Sequence, residues 1–170
     1  NTAASEETEL SSFEIPDETA DGYGTRIKGY LCAPEAGFYT LMVAADNEGE
    51  LWLSQDDTPE NKVKVAWAYE WTNHREWNKF TSQQSQPIYL LGGQNYYVEG
   101  LHKEDTGGDN FSVGWQLPSG ELETPIGSKH LSLFKTTPPP VVTPPFVTPT
   151  NNEQSSGGVG ADYVWFSLLL

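Results

Sequence analysis

The chain has 170 residues, enough for one domain of ordinary size with a tail but too few for two large domains. Its 24 acidic and nine basic residues give a formal charge of −15, and so acidic a surface repels nucleic acids and anionic membranes. The single cysteine, Cys32, excludes an internal disulfide and any zinc site built from several thiolates.

Short β-strands separated by turn residues account for most of the first 135 residues. Apolar and polar side chains alternate with a period of two around Val63 to Trp67 and around Phe111 to Leu117, which is typical of half-buried strands. No window carries a sustained helical stripe, although residues 71–79 are compatible with a turn or two of helix. The pattern predicts an antiparallel β-sandwich or barrel. Seven strands are predicted in chain order, at residues 26–32, 38–45, 50–54, 63–67, 87–91, 95–102 and 111–117.

The composition changes abruptly after Lys135. Residues 136–150 contain six of the twelve prolines, and residues 151–160 are polar and rich in Gly and Ser. This composition predicts a linker over residues 136–160 that begins as extended polyproline II and follows a folded domain over residues 1–135. Residues 161–170 (ADYVWFSLLL) are apolar but far shorter than the roughly 20 residues that cross a bilayer, so we interpret them as the end of a truncated following segment.

The common catalytic signatures are missing from the sequence. It contains no GxSxG, no glycine-rich phosphate loop and no HExxH, and its three histidines lie far apart in the chain. The sequence therefore predicts a protein that is not an enzyme. A pair of carboxylates that cleaves glycosidic bonds remains an alternative, because such a pair needs only proximity in space.

Two loops carry oxygen-bearing side chains in a pattern that suits a cation. Asp46 and Asn47 lie between two predicted strands, and a later loop contains Gly107, Gly108, Asp109 and Asn110. Ca²⁺ takes about six to eight oxygen ligands, some of them backbone carbonyls, which the two glycines can turn inward. Each loop alone is also an ordinary turn, and neither has the spacing of an EF-hand. Together they predict a calcium site.

Several longer segments resemble a known family. These are GYGTRIKGYL, FYTLMVAADNEGELWLSQDDTPENKVKVAW and REWNKFTSQQSQPIYLLGGQNYYVEGLHKEDTGGDNFSVGWQLPSGELETPI. From about Leu10 to Phe134, the chain resembles the bacterial branch of the PA-fourteen domain, a lectin-like module named from the anthrax toxin protective antigen. The resemblance implies a β-sandwich in which two consecutive Asp, joined by a cis peptide, hold a Ca²⁺ that also takes vicinal sugar hydroxyls. Here the pair is Asp46 and Asn47, so the second position lacks one negative charge.

The resemblance also indicates which residues face a bound glycan. An exposed Trp of the 67–77 region can stack on a sugar ring, although packing of a long loop is the favoured explanation for Trp67, Trp71 and Trp77. Trp52 and Trp115 lie in alternating strands and are expected in the core. The pair Asp56-Asp57 is either a second metal candidate or the start of a turn at Pro59. The candidate glycan-contacting residues are Glu48, His102, Lys103, Glu104 and Asp105.

The combined interpretation is a Ca²⁺-dependent carbohydrate-binding module without catalytic activity. We expect it to act as a monomeric module of a larger bacterial protein, secreted or on the cell surface, which it anchors to glycans through the Pro/Thr-rich linker. No nucleic acid partner and no membrane insertion by the folded domain are expected. The alternatives are a structural or protein-binding spacer of an adhesin without a calcium site, and a module that serves a separate glycoside hydrolase domain.

Overall fold

The computed structural model describes residues 7–16 and 21–135, and the predicted linker and apolar end lie outside these described residues. Within them the chain forms two antiparallel β-sheets. The strands are β1 (Gly24–Cys32), β2 (Gly37–Asp46), β3 (Glu48–Leu53), β4 (Val63–Ala68), β5 (Ile88–Leu90), β6 (Asn95–Lys103), β7 (Asn110–Gln116), β8 (Leu122–Glu123) and β9 (Leu131–Leu133).

The two sheets form a sandwich, which confirms the predicted all-β class. One sheet has the strand order β4-β3-β6-β1-β9 and the other has the order β5-β2-β7-β8. The chain crosses from one sheet to the other between β2 and β3 and again between β6 and β7. Because β3 pairs with β6 and β2 pairs with β7, both crossings lie at the same end of the sandwich.

The core lies between the inward faces of the two sheets. Tyr39 and Trp115 are fully buried, and their ring centroids are 4.9 Å apart. The prediction for Trp115 is therefore confirmed, but that for Trp52 is wrong. Leu51 and Leu53 are the residues of β3 that face inward, so Trp52 points outward, where Lys64 Nζ lies 5.8 Å from its ring centroid.

An N-terminal segment adds an element that the strand predictions did not contain. Glu14 forms an isolated β-bridge with Ser112 of β7. The flanking residues Phe13 and Ile15 are buried in the core, where each would gain roughly 1.5–3 kcal/mol from burial. The segment thus lies against the edge of β7 that faces away from β2, with Glu14 directed away from the core.

The remaining differences from the predicted elements are local. Residues 71–79 form turns and not a helix, and β8 and β9 were not predicted. Asp56 begins a turn, the alternative favoured at this position: its Oδ1 accepts the backbone N–H of Thr58 at 2.9 Å, immediately before a short 3-10 turn at Pro59–Asn61. In the part of the chain that the structure describes, no helix is long and apolar enough to cross a membrane.

Candidate functional site

The acidic tip is the end of the sandwich where β2 turns into β3 and where residues 104–109 lead from β6 to β7. Asp46, the last residue of β2, lies directly opposite Asn110, the first residue of β7. The backbone N–H of Asn47 donates to the carbonyl oxygen of Lys103 at 3.2 Å. The side-chain oxygen of Asn47 accepts the backbone N–H of Asp105 at 2.8 Å. The two loops singled out in the sequence therefore meet in space.

His102 stabilises the turn between β2 and β3 through a hydrogen bond. The peptide bond between Asp46 and Asn47 is cis, and the carbonyl oxygen of Asp46 lies 2.6 Å from Nε2 of His102. A carbonyl oxygen only accepts hydrogen bonds, so the His102 proton sits on Nε2. Burial lowers the pKa of His102, although the bond to Asp46 and the nearby Asp109 act in the opposite direction. His102 is therefore a neutral donor at pH 7 that fixes the Asp46 carbonyl.

Three carboxylates crowd the tip. Glu104 and Asp109 are only 1% and 4% exposed, and Tyr23 donates its hydroxyl to Asp109 Oδ2 at 2.7 Å. Burial raises the pKa of Glu104, and the negative charges of Asp46 and Asp109 raise it further. Burial also raises the pKa of Asp46, with a smaller contribution from Asp109, while His102 and Lys79 act in the opposite direction. Such mutual repulsion is what a cation bound among these groups would relieve.

The oxygen atoms of the tip fit a hard cation. Both carboxylate oxygens of Glu104 and Oδ1 of Asn110 are buried and accept no hydrogen bond from the described groups. Gly108 lies so close to Asp46 that a Cβ on it would stand 4.0 Å from Asp46 Oδ2. Gly107, with φ of +115°, gives the loop a conformation that suits glycine. Carboxylate, amide and carbonyl oxygens of this kind are the ligands of Ca²⁺.

Among the described residues, charged side chains alone do not complete a metal site at the tip. Over residues 7–16 and 21–135, no three His, Cys, Asp or Glu side chains form a group that could hold a metal ion by themselves. A calcium ion at the tip would therefore also require neutral oxygens, from the Asn110 side chain and from backbone carbonyls such as those of Gly107 and Gly108.

The predicted glycan-contacting residues divide into two groups. Glu48, Lys103 and Asp105 are exposed, and Lys103 Nζ lies 3.2 Å from Asp105 Oδ1 and 3.9 Å from Glu48 Oε1. His102 and Glu104 are buried, at 4% and 1% exposure, so the structure removes them from the surface that a glycan can touch. They lie beneath the tip, where their chemistry concerns the turn and its carboxylates.

An aromatic loop (residues 69–80) lies beside the tip. Thr72 ties the loop to β2, because its backbone N–H donates to the Ala45 carbonyl at 2.7 Å and its Oγ1 accepts the Ala45 N–H at 3.0 Å. Asn110 Nδ2 donates to the Thr72 carbonyl at 3.0 Å. The neighbouring Trp71 is 50% exposed, and Lys79 Nζ lies 3.1 Å from its ring centroid. The loop thus presents an exposed indole next to Asp46.

Three residues of this arrangement were missed in the sequence. Thr72 and Lys79 lie in the polar segment 71–79, where nothing in the local pattern distinguishes an anchor from a solvent-exposed residue. Tyr23 precedes β1 and reaches Asp109 across 86 positions of sequence. Contacts of such range depend on strand pairing, which a local pattern does not encode.

The family assignment follows from a direct match. A model of the PA14 domain matches residues 4–129, most of the chain. The chain belongs to the PA14 domain family. This PA14 domain has the sandwich that the resemblance implied, and it contains Asp46 and Asn47 at the acidic tip.

The curated relatives of this PA14 domain are much longer proteins. It is 40% identical over 119 residues to N-acetyl-beta-glucosaminyl-glycoprotein 4-beta-N-acetylgalactosaminyltransferase 1 of Mus musculus, a match that covers 66% of this chain and 11% of the relative. It is 32% identical over 118 residues to fibrocystin of Canis lupus familiaris, covering 64% of this chain and 3% of the relative. The chain therefore spans about a tenth or less of these proteins.

A solved structure shares the fold of this PA14 domain at low identity. The A domain of epithelial adhesin 6 from Candida glabrata, determined in complex with Galβ1-3GlcNAc, has a TM-score of 0.50 and a sequence identity of 11%. The match covers 65% of this chain and 50% of that chain. At this identity the likeness shows the fold alone.

Proposed function

We propose that this PA14 domain is a Ca²⁺-dependent carbohydrate-binding module that anchors a larger protein to glycans. The observation that carries the proposal is the acidic tip, where burial and neighbouring carboxylates raise the pKa values of Asp46 and Glu104, close to the exposed ring of Trp71. A hard cation and an exposed aromatic ring, side by side, are the two features that orient a sugar.

Different residues of the tip are proposed to bind the cation and to position the backbone around it. Calcium, when bound, supplies coordination positions that two adjacent sugar hydroxyls can fill. Asp46, Asp109 and Asn110 are the side chains proposed to hold it, and His102 keeps the Asp46 carbonyl in place. Asn47 holds the loop through its bond to the Asp105 N–H and has a second lone pair to offer as a ligand.

Selection among sugars is assigned to the exposed surroundings of the tip. The Trp71 ring offers an apolar surface for a pyranose face, while Lys79 covers part of that ring. On the other side of Asn47, Glu48, Lys103 and Asp105 provide exposed donors and acceptors for the remaining hydroxyls. Because the A domain of epithelial adhesin 6 was solved with Galβ1-3GlcNAc, galactose-terminated glycans are the first class to test.

The setting of the module is also proposed. We infer a non-catalytic, monomeric module of a secreted or surface protein, carried on the Pro/Thr-rich linker of residues 136–160. Its bacterial origin stays a prediction, and the two curated relatives reported above are mammalian. One of them is a glycosyltransferase, which is compatible with a binding module that serves a separate catalytic domain.

The test is glycan binding with and without calcium. The 170-residue chain is applied to a glycan array that includes Galβ1-3GlcNAc, once with millimolar calcium and once with chelator. Binding that requires calcium supports the proposal. Binding to no glycan and no rise in melting temperature with calcium would favour the spacer alternative, which the missing charge at Asn47 makes the main competitor. Release of reducing ends from polysaccharides would instead reveal a hydrolase.

A further inference from the structure

Glu14 connects the N-terminal segment to two other parts of the fold. Its Oε1 accepts hydrogen bonds from His74 Nε2 at 2.8 Å, Arg75 Nε at 2.9 Å and Ser112 Oγ at 2.7 Å. Its Oε2 accepts a bond from Arg75 Nη2 at 2.8 Å. The Glu14 side chain is only 15% exposed, whereas the His74 and Arg75 side chains are 41% and 45% exposed, so the clamp joins a mostly covered carboxylate to donors at the surface. We call this set of contacts the Glu14 clamp.

The clamp spans the four-stranded sheet close to the acidic tip. Glu14 bridges to Ser112 of β7, and Ser112 lies opposite Ala44 of β2. The aromatic loop, which contains His74 and Arg75, lies along the other edge of β2. The Arg75 side chain therefore crosses β2 and β7 at the position of the paired small residues Ala44 and Ser112. The pair Asp46 and Asn110 lies two residues further along, which is about 7 Å.

The clamped residues belong to the loop that carries the exposed indole. Trp71 and Lys79 flank them, and Lys79 Nζ donates to the Trp71 carbonyl at 2.6 Å. Arg75 has φ of +55°, a conformation that non-glycine residues seldom adopt unless surrounding contacts stabilise it. The bidentate pairing with Glu14 is such a contact, and it orients the loop in a way that a single surface ion pair does not.

We propose that Glu14 is a positioning residue of the glycan site. Through Arg75 and His74 it holds the aromatic loop against the tip, so that the N-terminal segment sets glycan affinity without touching the glycan. The proposed calcium ligands lie on β2, on β7 and in residues 104–109. The aromatic loop contacts them through Thr72, whose bonds to Ala45 and Asn110 do not involve Glu14, so we expect calcium affinity to depend little on the clamp. The proposal rests on the proposed function for its effect on affinity, but the holding of the loop is testable by itself.

The experiment compares Glu14→Gln with Glu50→Gln in the 170-residue chain. Glu50 is the matched control, because it also accepts hydrogen bonds from a basic side chain, that of Lys64, and from a ring N–H, that of Trp52, but on the other sheet. Amide hydrogen exchange is followed in residues 71–80 and in β7. Calorimetry gives the dissociation constants of calcium alone and of Galβ1-3GlcNAc in saturating calcium.

The expected result is a separation of the two affinities. In Glu14→Gln, amides of residues 71–80 exchange faster, the disaccharide binds about fivefold more weakly or worse, and calcium affinity changes by less than about twofold. Glu50→Gln leaves all three readouts as in the wild type. Arg75→Ala reproduces the Glu14→Gln effect, and the double variant is no weaker than either single one, because both remove the same interaction.

Two results would overturn the clamp. One is unchanged exchange in residues 71–80 of Glu14→Gln. The other is faster exchange throughout the β-strands with equal losses of calcium and disaccharide affinity, which would make Glu14 a support of the whole fold. If the wild type itself binds no disaccharide, the proposed function fails for galactosides, while the exchange measurement still decides whether Glu14 holds the loop.

Discussion

Asp46 and Asn110 lie opposite each other at the end of the four-stranded sheet where β2 ends and β7 begins. Asn110 directs its amide nitrogen to the Thr72 carbonyl, while its Oδ1 is buried and accepts no hydrogen bond from the described groups. The pair thus joins the turn that begins with Asp46, the loop that ends with Asp109, and the aromatic loop. Changes at Asp46 should therefore affect calcium without removing a hydrogen bond that holds the strands together.

Asp46→Ala should abolish the response to calcium. If the proposed site binds calcium, a hundredfold excess over its Kd should stabilise the wild-type fold by about 2.7 kcal/mol, which is read as a rise in Tm. The variant should show no rise, and its calcium-free Tm should not fall, because the substitution removes a charge that burial disfavours more than Lys79 favours it, as the raised pKa of Asp46 indicates. Calorimetric melting with calcium and with chelator measures both. Asp105→Ala, at an exposed position of the same tip, should keep the rise.

Asn47→Asp should bind calcium more tightly. The new carboxylate still accepts the Asp105 N–H, and it restores one negative charge to the set of ligands. We expect the calcium Kd to fall by about tenfold, equivalent to about 1.4 kcal/mol. Without calcium the extra charge adds to the repulsion among the carboxylates, so the Tm in chelator should decrease. Titration calorimetry that shows equal Kd values for the two proteins would remove this side chain from the ligand set.

The fold was predictable from the sequence where alternation is clear. In β7, Phe111, Val113 and Trp115 all face the core with a period of two. In β3 the sequence ELWL is apolar on both faces, so its alternation did not show that Trp52 points outward. Strands β8 and β9, with two and three residues, are too short to show a period.

The site was predictable in its parts but not in its assembly. The two oxygen-rich loops were evident, yet their meeting depends on the register of β2 with β7 and of β3 with β6. Glu104 lies in the polar run HKED, where no pattern distinguishes the buried carboxylate from its exposed neighbour Asp105. The contacts of Glu14 with Arg75 and Ser112 span 61 and 98 positions, so only the folded chain reveals them.

Trp71→Ala should weaken glycan binding and leave calcium binding intact. The loop is anchored to β2 through the backbone and side chain of Thr72, so removing the Trp71 side chain leaves that anchor in place. Loss of a stacking surface should raise the glycan Kd by about tenfold, equivalent to about 1.4 kcal/mol. Trp67→Ala is the control, since Trp67 is also partly exposed but lies on β4 with Lys64 near its ring. Equal effects of the two variants in glycan titrations would argue against stacking at Trp71.

Glu14→Gln should destabilise the protein at neutral pH and lose its effect in acid. The hydrogen bond from Arg75 is the largest cause that lowers the pKa of Glu14, from its ordinary 4.5 to about 2. A carboxyl whose pKa is lower in the folded state stabilises the fold above the unfolded pKa, and this contribution is lost as pH falls from 4.5 through about 2. The free energy of unfolding of the wild type should therefore exceed that of Glu14→Gln by about 1 kcal/mol at pH 7, because the exposure of His74 and Arg75 screens the charged hydrogen bonds that the variant weakens.

That difference in unfolding free energy should shrink steadily between pH 4.5 and pH 2, because protonated Glu14 and the neutral Gln side chain then carry the same charge. Urea unfolding of both proteins at a series of pH values measures it. Taking the difference between the two proteins cancels the other carboxylates with lowered pKa values, such as Glu99 and Glu123. A difference that stays constant down to pH 2 would mean that Glu14 acts by shape and hydrogen bonding alone, without its charge.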